Sequence, residues 1–317
     1  MTLPNTAHQW EEQARQCLDR AETVWSEAGP ERALRYLAEG LLALRRDAST
    51  DWRSVVVPIV RDHPMSHRIR QSSTIAAHAS TWPRGYPGDA GMIDEFYEAG
   101  DDSRGMGEEQ RRANAYIRQS STGQSVRYRR MVLAEAINQC AVENRRPAVL
   151  SVACGHVREV EWSHAMANGL VHRFVAADQD PRSLETVRER LSPRYPAVEP
   201  THLSVRGILS GRGTDLGHFH LIYAAGLYDY LSGPLAAELT AHLFRQLHPG
   251  GRLLVGNFSD TVAETGFMES VLNWPLNWRS AAEVAAFASA IPTDQIRSDR
   301  VWPDPTGNCL YIDLTKI

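Results

Sequence analysis

What the chain lacks narrows the field first. It has four cysteines in 317 residues, Cys17, Cys140, Cys154 and Cys309, and no two form a CxxC pair. That spacing offers no zinc site and no disulfide framework, and it fits a reduced, cytoplasmic protein. The twelve histidines show no HExxH or similarly paired spacing, so no metal is expected. No apolar stretch is long enough to span a bilayer, and "MTLPNTAHQWEEQARQ" has no basic start followed by an apolar segment. Neither a membrane partner nor a secretory signal is expected. Positive charge is not in excess: the formal net charge is -4, against the basic footprint of a nucleic-acid binder. The arginines of "RRANAYIRQSSTGQSVRYRR" read as a solvated helix face, with Arg127 or Tyr128 as candidates for a substrate carboxylate.

What is present divides into two styles. The first part is helix after helix: Leu34, Leu37, Leu41 and Leu44 line one face of a segment that Pro30 suits as a first turn. A Pro/Gly-dense loop, "TWPRGYPGDAG", follows, then a short helix, then a long helical stretch expected to break or bend near Gly123. After "RRPA" short β-rich runs alternate with helical ones: "AVLSVAC", "HRFVAAD", "THLSVRG", "FHLIYAA", "GRLLVGNF" and finally "NCLYIDLTK". Strands alternating with helices predict right-handed crossovers and a mostly parallel sheet covered on both faces. The expected architecture is an α/β Rossmann-like domain over residues 141–317, behind a helical lid or substrate domain over residues 1–140.

Ligands of such sheets bind beyond the carboxyl ends of the strands, where strand order reverses. In "VLSVACGHVREVE" the first strand runs into the turn Ala153, Cys154, Gly155, His156, and Gly155 lets the backbone bend without a side chain in the way. Asp178 ends the second strand, placed to accept both hydroxyls of a ribose. A G-x-G-x-x-G fingerprint is absent. A dinucleotide needs that loop for its pyrophosphate, so the pattern favours a nucleoside without phosphates.

These residues resemble the class I S-adenosylmethionine-dependent methyltransferases. "VLSVACGHVRE" is similar to their first motif, Asp178 in "FVAADQDP" to the acid closing their second strand, and "LIYAAGLYDYL" and "LFRQLHPGGRLLVGNF" to their fourth and fifth strands. The family's acid and later glycines in the first motif are replaced, at Ser151, Ala153 and His156. "WPRGYPGDAGMIDEFY", "SVRYRR" and "SVACGHVRE" further resemble two subgroups: hydroxy fatty acid methyl ester biosynthesis proteins, and azetidine-2-carboxylate synthases, which cyclise S-adenosylmethionine itself.

The resemblance implies S-adenosylmethionine as methyl donor or sole substrate, with a small molecule as partner. It implies adenine or ribose contacts from Gln179, Gly207 and Ile208, and close backbone approach to the methionine part at Ala225 and Gly226. Tyr228, Asp229 and Tyr230 are expected at the mouth of the site, with tyrosine and aspartate together binding an ammonium or deprotonating a nucleophile. From the loop, Arg84 is expected to pair with a carboxylate, Tyr86 to face the sulfonium, and Asp89 to hold a helix start or an amine. Three functions stand open: methyl transfer to a small molecule in secondary metabolism or signalling, cyclisation with release of methylthioadenosine, and a catalytically silent binding module. Nothing in the residues states the oligomeric state.

Overall fold

The computed structural model describes residues 6–97 and 105–317. Two compact units divide the chain: residues up to Gln124 with Val262–Leu276, and Ser125–Thr261 with Asn277–Ile317. The expected boundary near 140 therefore falls inside one helix, Ser121–Glu143. Its physical reason is burial: Leu133, Ala136, Ile137 and Cys140 of that helix pack into a sheet core. The change in composition marks where strands begin, not where contacts change.

In the first unit, helices Ala7–Ala28 and Pro30–Ala48 pair through Trp10, Ala14, Leu18 and Trp25 on one side and Leu34, Leu37 and Leu41 on the other. Gly29, at φ 87°, makes the bend between them where an L side chain is strained. Val262–Leu276 joins these helices by specific polar contacts. The buried carboxylate of Glu269 accepts from Trp52 Nε1 at 2.6 Å and from Arg45 Nη2 at 3.0 Å. Asn273 accepts from Arg61 Nη2 at 2.7 Å. The long helical stretch breaks near Gly123, at Ser120, between Glu108–Gln119 and Ser121–Glu143. Glu264 caps the second helix, accepting from Ser121 N at 3.1 Å and Ser121 Oγ at 2.9 Å. Among the described residues no helix is long and apolar enough to cross a membrane.

The second unit is built on seven strands: β1 Ala148–Val152, β2 Arg173–Asp178, β3 Val198–His202, β4 Phe219–Ala225, β5 Leu247–Phe258, β6 Ile296–Pro303 and β7 Cys309–Lys316. Their order is β3-β2-β1-β4-β5-β7-β6. β1 to β5 are mutually parallel, and β7 runs antiparallel between β5 and β6. Side chains alternate between two cores. Val175, Ala177, Ile222 and Ala224 face one, and Phe174, Ala176, Leu221 and Tyr223 face the other. One expectation needs correction. The run "THLSVRG" is not one strand: β3 ends at His202, and Val205–Leu209 is a helical turn that Ser204 caps through Gly207 N. β6 carries few apolar residues and pairs only at the sheet's edge, so no hydrophobic alternation announced it. The chain leaves β1 for β2 and β3 and then returns to β4 on the other side, which opens the crevice at the ends of β1, β2 and β4.

Candidate functional site

The turn after β1 is wound through three left-handed residues: Ala153 (φ 50°), Gly155 (φ 57°) and Val157 (φ 51°). Only the middle one is glycine, so the bend stores strain at an alanine and at a β-branched valine. Glycine-like conformation thus falls at 157 and not at His156, which the sequence reading had taken as the replaced glycine. Asp178 latches this turn. Its Oδ2 accepts from Gly155 N at 2.8 Å, and its Oδ1 accepts from Asp180 N at 2.8 Å. Cys154 N adds a bond to the Ala177 carbonyl at 3.0 Å, tying the turn to the end of β2. Burial pushes the Asp178 carboxyl above its usual range, while the backbone N–H groups of Asp180, Gly155 and Gln179 oppose that. His156 is buried in the turn, Cys154 and Gly155 are half-buried, and Ala153 and Gln179 are exposed.

A carboxylate also reaches the neighbourhood of Ser151, although position 151 is not acidic. Glu159 is 5% exposed and accepts from the Tyr223 hydroxyl at 2.5 Å. Tyr223 is the register partner of Ser151 across β1 and β4. Burial raises the Glu159 carboxyl, opposed by its bond to Tyr223 and by the nearby Arg129 and Arg130. In "REVEWS" Glu159 looks like any acid of a polar helix, and only its partner on β4 sets it apart.

At the end of β4, Ala225 leads into Gly226, whose φ of 126° suits glycine. A Cβ there would stand 3.0 Å from Arg129 Nη1. Arg129, Ala225, Gly226 and Asp229 line a cleft of about 240 Å³ together with Ser125 and Cys309. Asp229 is 4% exposed, and its Oδ1 accepts from Phe258 N at 2.7 Å. Burial pushes its carboxyl up to about 6, with Arg129 and Arg279 working against burial. The short turn Tyr228–Tyr230 that carries Asp229 is pinned from the far side. Asn277 N donates to the Asp229 carbonyl at 2.7 Å, and the buried Arg279 donates from Nη1 to the Tyr228 carbonyl at 2.8 Å and from Nη2 to the Leu231 carbonyl. A rigid, buried carboxylate that titrates near neutrality beside a guanidinium can accept a proton or hold a cation.

The structure separates residues that the sequence had grouped. Tyr228 is not at the mouth: it is fully buried in a sheet core, and its hydroxyl donates to Thr240 Oγ1 at 3.0 Å. The turn after β4 points residue 228 inward and residue 229 toward the cleft, so the catalytic expectation for Tyr228 is withdrawn. Ile208, 2% exposed, belongs to the same core and offers no face to an adenine. Gly207 is closed off by Leu203, whose Cδ1 would lie 3.2 Å from a Cβ. The arginine in the cleft is Arg129, not Arg127, and Tyr128 lines a different groove. Arg84 and Tyr86 lie in the first unit. Arg84 faces Asp89 at 3.6 Å. Asp89 starts the helix Ala90–Tyr97 by accepting from Gly91 N at 2.8 Å, and His78 Nε2 lies 3.0 Å from both its oxygens.

No family model and no curated protein matches the chain. Solved structures do. A possible exported protein from Bordetella parapertussis superposes over 86% of this chain and 98% of its own, at 16% identity and a TM-score of 0.57. The fold shared is a Rossmann-like, mostly parallel sheet with helices on both faces. Looser likenesses include magnesium protoporphyrin IX methyltransferase from Synechocystis with bound S-adenosylhomocysteine (9% identity, 77% of this chain, 98% of that one, TM-score 0.49). The N-methyltransferase NodS from Bradyrhizobium japonicum, in complex with S-adenosylhomocysteine, matches at 14% identity over 60% of this chain and 87% of its own, with a TM-score of 0.42. At these identities the likeness concerns the fold.

Proposed function

We propose that this protein is an S-adenosylmethionine-dependent enzyme that transfers a methyl group to a small-molecule acceptor. The observation that carries the reading is the coupling of two features at the strand-order reversal: the left-handed turn latched by Asp178, and the cleft of Arg129, Gly226 and Asp229 at the end of β4. The residues fit the group. The strand-end carboxylate of Asp178 suits a ribose hydroxyl, and the missing Cβ at Gly226 leaves backbone open beside Arg129. When bound there, S-adenosylmethionine supplies an electrophilic carbon on a sulfonium. Asp229 takes up the proton that a neutral nucleophile releases, and its buried, pinned carboxylate costs no reorganisation at that moment. The rest of the site's work is alignment.

A second reading is favoured by how little free space the cleft holds beside Arg129, Gly226 and Asp229. Such a space suits a very short acceptor, or the ligand's own amine folding back on its chain to close a four-membered ring. In that reading Asp229 accepts the ammonium proton, and methylthioadenosine and azetidine-2-carboxylate leave in equal amounts. The resemblance to azetidine-2-carboxylate synthases supports it, as that to hydroxy fatty acid methyl ester proteins supports transfer.

One incubation separates the two. Purified protein is given S-adenosylmethionine alone, then with candidate acids, alcohols and amines, and products are read by mass. Methylthioadenosine without an acceptor means cyclisation. Adenosylhomocysteine that appears only with an acceptor means transfer. Failure to bind S-adenosylmethionine in calorimetry removes both and with them the silent binding module.

A further inference from the structure

Ser125 lines the cleft at the end of β4, beside Asp229 and Arg129, and is 1% exposed. A serine in a helix commonly turns its hydroxyl back on a carbonyl of the preceding turn. This one donates instead to Oδ2 of Asp304, 179 positions along the chain. Asp304 is buried in the turn between β6 and β7 and held there firmly. Its Oδ1 accepts from Thr306 N at 3.0 Å, Thr306 Oγ1 at 2.7 Å and Asn308 N at 3.1 Å, and its own N–H donates to the Cys309 carbonyl at 2.8 Å. A carboxylate has no proton to give, so the single proton of the Ser125 hydroxyl is committed to Asp304. What remains on that oxygen is lone pairs. Toward a molecule in the cleft, Ser125 is an acceptor and not a donor.

Asp229 is the second acceptor of the lining, and Arg129 has the carboxylates of both Asp229 and Glu159 within its field. A primary amine meets this arrangement. Neutral, it gives one N–H to Ser125 and one to Asp229 and keeps its lone pair for the carbon under attack. The N–C bond forms with that pair, the C–S bond breaks with its electrons left on a neutral thioether, and the surplus proton on nitrogen passes to Asp229. An alcohol has one hydrogen. Once that lies on Asp229, the alcohol and Ser125 oxygens meet lone pair to lone pair. A carboxylate has none and faces two acceptors.

With S-adenosylmethionine use at this cleft as the underlying reading, we propose that Ser125 is a specificity-determining residue: its oxygen, its proton held by Asp304, selects a primary amine as the nucleophile, on a separate molecule or on the ligand itself. The probe is sinefungin, which carries a primary amine on carbon where S-adenosylmethionine carries its methyl on sulfur. S-adenosylhomocysteine, which has neither, is the comparison. The full chain is titrated with each in calorimetry, and the parent should hold sinefungin about tenfold more tightly. Ser125→Ala should lower that ratio to about threefold or less, and Ser125→Thr, which keeps the hydroxyl, should restore it. A merely structural serine would move both affinities alike and leave the ratio as it was. In Asp304→Asn the three donors on Oδ1 hold the amide oxygen there, so the amide N–H faces Ser125, reverses the bond and should lower the ratio as well. A parent ratio near one, or a ratio indifferent to Ser125→Ala, overturns the assignment. So does adenosylhomocysteine formed with an alcohol or a carboxylic acid in place of an amine. A parent that binds neither ligand brings down the underlying reading, and the assignment with it.

Discussion

Replacing Asp229 by asparagine gives the sharpest test of the site. The carboxylate is 4% exposed, and burial lifts it from an ordinary 3.8 to about 6. A carboxyl raised in the folded state favours folding when protonated. Its contribution is therefore fully present below about 4 and is lost as pH rises through about 6. At 1.36 kcal/mol per pH unit, that shift makes the folded protein about 2 kcal/mol less stable at pH 7 than at pH 4 on account of this one group. Asparagine keeps an oxygen for Phe258 N and cannot ionise. The stability of Asp229→Asn minus that of the parent should thus grow by about 2 kcal/mol between pH 4 and pH 7. Urea melts at several pH values measure this difference, and any constant cost of leaving Arg129 and Arg279 without the charge cancels from it. Parallel stability curves for the two proteins would refute the buried, raised carboxylate. The same variant should lose most turnover while binding the nucleoside with little change, because Asp229 stands at the cleft and not at the turn.

Asp178→Ala strips both backbone N–H partners of the latch and should cost about 1–3 kcal/mol of stability in denaturant melts. It should also abolish S-adenosylmethionine binding in calorimetry, and an unchanged affinity would mean the nucleoside sits elsewhere. Ala153→Gly relieves a left-handed alanine at an exposed position and should stabilise the protein by about 1 kcal/mol, read as a higher melting temperature. Tyr228→Phe removes a buried hydroxyl bonded to Thr240 and should cost about 1 kcal/mol while leaving kcat as it was. A large fall in kcat with intact stability would return Tyr228 to the chemistry.

The readings that survived rest on residues whose role is set within a few positions of the chain. A strand that runs into the turn at Gly155, and another that ends in Asp178, meet wherever β1 and β2 pair in parallel register, and alternation of strand with helix already requires that pairing. The seven-stranded sheet could be drawn from such local signals except for β6, an edge strand whose exposed residues show no alternation.

What failed depended on rotation, burial and return of the chain, none of which is local. Arg127, Tyr128 and Arg129 are adjacent and chemically alike as candidates, and only the packing of their helix decides that 129 lines the cleft. Tyr228 and Asp229 differ by one position, yet the turn pinned by Asn277 and Arg279 buries one ring in a core and presents the other carboxylate to the cleft. Glu159 becomes notable only because Tyr223 crosses to it from another strand. Val262–Leu276 follows β5 in sequence but belongs to the helical unit, because Glu269 and Asn273 find their partners there. The amino-acid order by itself determined the α/β pattern, the strand-end glycine and the strand-end acid, since period and turn chemistry act over a few residues. Tertiary structure alone decided which charges share a cleft and which tyrosine is merely core, since burial and the pKa of a carboxylate are set by neighbours far away in the chain.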